Sequence, residues 1–104
     1  MIVTMAETVP GREVAEVIRT VKGNTVRTRF FGRDIMAALR NLIGGEVPEY
    51  TKLMAEAREQ ALDRMMADGE AAGADAIISM RVTTSMIMGG SAELLAYGTA
   101  VKLR

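Results

Sequence analysis

A chain of 104 residues, 49% apolar and 25% charged, is sized for one domain with a modest core, and residues 1–104 are read as a single unit. Thirteen basic side chains balance thirteen acidic ones, which argues against nucleic-acid binding, because that affinity comes largely from neutralising phosphates. Cysteine and histidine are both absent, which excludes disulfides, thiolate nucleophiles and thiolate or imidazole metal ligands.

The amino terminus, Met1-Ile2-Val3-Thr4-Met5, has no basic segment leading into an apolar stretch, so no signal peptide is expected. No run reaches the roughly 18 apolar residues of a membrane span. A soluble cytoplasmic protein with no membrane partner is the expectation. Residues 2–5 read as a short strand, closed by the turn signal Val9-Pro10-Gly11. Residues 12–21 are rich in β-branched types and alternate imperfectly, with Val14 and Ile18 on one parity and Val17 and Val21 on the other. Gly23-Asn24 fits a two-residue hairpin connection, leading into a further extended stretch over residues 25–30.

A short helix is predicted over residues 33–43, where Ile35, Leu39, Leu42 and Ile43 form one apolar stripe. Gly44-Gly45 ends it, and Pro48 with Glu49 suits the first turn of a second helix. That second helix runs to about residue 72, with Tyr50, Met54, Ala57, Ala61, Met65 and Asp68 along one line. Lys52, Glu56, Glu59, Asp63 and Arg64 occupy the opposite face, and Gly73 is the terminator. Residues 75–88 and 91–104 read as two strands joined at Gly89-Gly90. The first places Ala76, Ile78, Met80 and Val82 on one face, with Ile77 and Ile87 on the other. The second places Leu94, Ala96 and Ala100 opposite Leu95, Tyr97, Val101 and Leu103. Apolar residues on both parities imply a sheet covered on both faces, and further copies of the chain are the natural cover. The element order points to an α+β fold with an antiparallel sheet.

The run Arg33-Asp34, then residues 35–45 (Ile35-Met36-Ala37-Ala38-Leu39-Arg40-Asn41-Leu42-Ile43-Gly44-Gly45), Tyr50, Glu56-Ala57-Arg58-Glu59, Gly73-Ala74-Asp75-Ala76 and the closing Gly98-Thr99-Ala100-Val101 resembles the YbjQ family. That family is named for heavy-metal binding and has no assigned function. The resemblance implies a small α+β subunit whose curved antiparallel sheet packs on one long helix beside a short one. It further implies a ring-shaped homopentamer. Two departures stand out: Glu46 follows the double glycine where relatives often carry a basic residue, and the cysteines of some relatives are missing.

Candidate sites are few. The polar set Arg33, Asp34, Arg40, Tyr50 and Arg58 recurs at seven- and eight-residue spacings, about two helical turns, and could line a pocket for a small anion between subunits. A salt-bridge network between subunits explains the same spacing and is the preferred reading. Soft-metal binding is left to thioethers, with Met86 and Met88 as the weak Cu(I) pair, and packing is the preferred reading of these methionines. The acidic residues Asp63, Asp68, Glu70 and Asp75 lack the spacing of a calcium loop and read as a solvated face. No cofactor is implied. Without a histidine or cysteine base there is no catalytic set, and a non-enzymatic oligomeric binding or scaffold protein is the leading reading. The rival is a small-molecule enzyme or anion-binding protein with an arginine-lined pocket between subunits.

Overall fold

A computed structural model describes residues 1–28, 48–87 and 91–104 of the chain, and the side chains of Thr28 and residues 48–50 are left aside. It contains strands β1 (Ile2–Val3) and β2 (Val14–Thr28), helix α1 (Pro48–Ala71), and strands β3 (Ala76–Ile87) and β4 (Ser91–Leu103). The sheet order is β1-β3-β4-β2. Strand β4 lies antiparallel to both β2 and β3, whereas β1 runs parallel to β3 through Ile2↔Ala76 and Val3↔Ile77. The fold is α+β as predicted, but the sheet is mixed, not antiparallel throughout. The predicted short helix over 33–43 and the Gly89-Gly90 turn lie outside the described residues. The pairing Ile87↔Ser91 does place those two strands next to each other in sequence and space.

Helix α1 is built as its pattern predicts. Ala57, Ala61 and Met65 are fully buried, Met54 and Leu62 pack beside them, and Lys52, Glu56, Glu59, Asp63 and Arg64 are exposed. They meet Val21, Ile77, Leu94, Ala96 and Ala100 to form the main core on one face of the sheet. The chain leaves the helix at Gly73, whose φ of 76° is the left-handed conformation that glycine takes without steric cost.

The predicted break at Gly23-Asn24 does not occur. Strand β2 runs unbroken from Val14 to Thr28, and Gly23 sits within it opposite Ala96. A Cβ at Gly23 would collide with the backbone of Ala61 and Met65 and with Cβ of Arg64. Glycine is therefore what lets the helix backbone approach the strand here, and the hydrophobic gain of seating α1 overrides its turn propensity.

Bulges account for the imperfect alternation. Register shifts fall between Val14 and Glu16 and between Val17 and Arg19 in β2, and between Ile78 and Arg81 in β3. In β3 the irregularity centres on Ser79, a non-glycine residue with φ of 54°. The predicted face of Ala76, Ile78, Met80 and Val82 is therefore split. Ala76 and Ile78 join Val9 and Val101 in a second cluster, whereas Met80 packs against the main core with Ile77. The alternation of β4 holds: Leu94, Ala96 and Ala100 enter the main core, and Val101 and Leu103 belong to the second cluster. The turn at Val9, bridged to Arg12, thus supplies within the chain part of the cover expected from other copies.

Candidate functional site

Of the predicted polar set, Arg33, Asp34 and Arg40 lie outside the described residues. Tyr50 is in the first turn of α1, and Arg58 stands exposed two turns further along the same helix. Of these five side chains only that of Arg58 is among the described ones.

The structure instead shows polar contacts between α1 and β2 that sequence reading did not anticipate. Asp68 accepts from Arg19 through a forked pair, Nη2 to Oδ1 at 2.9 Å and Nη1 to Oδ2 at 3.1 Å, and from the Lys22 backbone N–H at 3.1 Å. The Arg19 hydrogen bonds, then the Lys22 N–H, hold the Asp68 carboxyl below its ordinary value of 3.8, while Asp68 raises the Arg19 guanidinium. Arg64 donates to the Asn24 carbonyl at 2.6 Å, and Arg27 Nη2 donates to Gln60 Oε1 at 2.8 Å. These pairs join positions 33 to 49 residues apart, so no local pattern announces them.

Arg27, Ala55, Glu56, Glu59, Gln60 and Asp63 line an open hollow of about 420 Å³ between β2 and the outer side of α1. The Arg27 Nε is buried without a hydrogen-bond partner among the described residues, as is the hydroxyl of Thr25 two residues earlier. Acidic side chains predominate at the hollow, so its arginine does not make it an anion pocket. Elsewhere, Asp75 accepts from the Leu103 N–H at 2.9 Å and faces the Lys102 ammonium at 3.8 Å. Asp68 and Asp75, two of the four acidic residues weighed for a hard cation, are thus committed to protein partners.

A family profile described as "putative heavy-metal-binding" matches residues 1–104. The chain belongs to the YbjQ family. A UPF0145 protein of Archaeoglobus fulgidus is 55% identical over 104 residues, covering 100% of this chain and 96% of the relative. One from Halorubrum lacusprofundi is 57% identical over 98 residues, with 94% of each covered. A Vibrio campbellii member is 52% identical over 103 residues, with 99% of each covered. The fold is also that of a solved Pediococcus pentosaceus protein of unknown function from the DUF74 family. The two share a TM-score of 0.67 at 12% identity over 100% of this chain and 98% of that one. The relatives of this YbjQ chain span archaea and bacteria, and the family has no assigned function.

The donors of this YbjQ chain do not fit the metal in its family's description. No cysteine or histidine exists in the sequence, and no group of three or more acidic side chains among the described residues is placed to hold an ion. Nor is any described helix long and apolar enough to cross a membrane.

Proposed function

We propose that the protein is a non-enzymatic, self-associating binding or scaffold subunit that works in the cytoplasm as a homopentameric ring. The observation that carries this reading is the bare far half of β3. From Arg81 to Ile87 every residue is exposed, and no described strand pairs with its outer edge. Val82, Met86 and Ile87 are 36%, 62% and 45% exposed there, and Val17 and Val26 on the opposite edge strand β2 are 62% and 52% exposed. Long strand edges bearing apolar side chains call for a partner. Identical copies supply an edge of each kind at every contact, which is how a ring closes. The pentamer itself comes from the family resemblance.

Native mass spectrometry of the purified protein tests this directly, since it reports assembly size and retained small molecules together. A monodisperse monomer would sink the reading, and a dimer would keep self-association while removing the ring.

The second reading, an anion-binding or enzymatic pocket between subunits, draws on Arg58, exposed with no ion-pair partner among the described residues. It places Arg33, Asp34, Arg40 and Tyr50 around the same small carboxylate or phosphate. A retained anion that is lost in Arg58→Ala while the assembly persists would favour this reading over the scaffold.

A further inference from the structure

We infer that this chain has lost, or never had, the heavy-metal site for which its family is described, and that the thioethers seated at its core serve packing. Zinc, cadmium and similar ions are held tightly by thiolate and imidazole, and the sequence offers neither. Among the described residues, oxygen ligands do not replace them. Asp68 is taken up by Arg19 and the Lys22 N–H, and Asp75 by Leu103 and Lys102. Glu56, Glu59, Asp63 and Glu70 of α1 are exposed along the helix and form no group placed to hold an ion.

Thioethers remain, and their positions decide the matter. Met65 is fully buried, and Met54, Met66 and Met80 pack against the same core, where the sulfur fills space between alanines and β-branched side chains. Met1, Met5 and Met86 are exposed. They do not converge: the backbone at Met5 runs beside Ser79 and Met80, which bond to Ala6 and Thr4. Met86 is six residues further along β3, about 20 Å at the ordinary rise of a strand. Met36 and Met88 lie outside the described residues, so Cu(I) through Met86 and Met88 is the one coordination left to exclude by experiment.

The test is titration of the metal-stripped protein with Zn²⁺, Cd²⁺ and Cu(I) separately, read by calorimetry and by metal content after dialysis. The expected result is no binding tighter than about 100 µM for any of them. It is measured beside the double variant Met86→Leu, Met88→Leu, which keeps side-chain volume and should fold as the parent does. Micromolar retention of Zn²⁺ or Cd²⁺ would overturn the inference outright. Micromolar Cu(I) binding that vanishes in the double variant would overturn it through the thioether pair, and Cu(I) binding that survives would overturn it through a site elsewhere. Because assembly mass is measured separately, failure here leaves the oligomeric reading standing, and the reverse also holds.

Discussion

At Asp68 a single carboxylate ties the carboxyl-terminal part of α1 to β2 through one guanidinium and one backbone N–H. Its pKa is depressed by folding, so the stability it contributes is complete above the ordinary carboxylate value of 3.8 and is lost as pH falls through the lower folded value. Acid titration of Asp68→Asn, followed by circular dichroism, should therefore show a flatter pH dependence below about 4 than the parent. An unchanged acid limb would mean that the Arg19 pair breaks in solution. Thr25 presents the opposite case. It is 3% exposed, its hydroxyl has no partner among the described residues, and Leu94 stands across from it. Valine has nearly the same shape and leaves no hydrogen-bonding group stranded. Thr25→Val should raise stability by about 1 kcal/mol in chemical denaturation. A loss of similar size would show that the hydroxyl is satisfied after all.

The elements divide sharply into those that sequence pattern reveals and those that tertiary packing decides. Helix α1 was legible almost residue for residue, because Ala57, Ala61 and Met65 repeat at four-residue spacing and both ends carry their signals in Pro48 and Gly73. The alternation of β4 was legible as well, since no bulge interrupts it in the register with either neighbour beyond those its partners carry. Strand β2 was not. Gly23-Asn24 is a turn signal when only neighbours are considered, yet the glycine is there to admit the helix backbone. Gly23→Ala should accordingly cost about 1–3 kcal/mol, as overpacking does, and lower the thermal midpoint by several degrees. A loss below about 0.5 kcal/mol would mean that α1 can lift away from β2 at little cost. The bulges at Val17 and Ser79 were equally invisible, because a one-residue slip leaves composition untouched while it exchanges the two faces. Of the candidate site, the residues that sequence spacing picked out lie mostly beyond the described elements. The contacts that do join α1 to β2 link distant positions that no spacing rule connects.

On the scale of the whole molecule, the described chain measures 55 × 23 × 17 Å with a radius of gyration of 17.4 Å. A globular domain of this length has a radius nearer 13 Å. The excess lies along the strands: fifteen residues of β2 alone span about 50 Å, whereas the core gathers under one helix. The described elements so drawn out bury less of themselves than a compact domain would, and in the proposed ring neighbours make up the difference. Light scattering should give a mass near five times the 11.2 kDa of the chain, and the assembly should hold together on dilution well below the concentration used to purify it. A mass that falls steadily to that of one chain would place the cover elsewhere.

The open margin of β3 also bears on how the protein must be made. Between Arg81 and Ile87 there is one charge and neither proline nor glycine, and the residue types favour extended pairing. A newly synthesised subunit that has not met its neighbours displays this segment as a template on which unrelated or identical chains can stack indefinitely. In the proposed ring, closed assembly and fibril growth would compete for the same seven residues. If that edge is the seam of the proposed ring, what builds the finished particle is the hazard of the unfinished one, and rapid encounter between fresh subunits would separate the two outcomes.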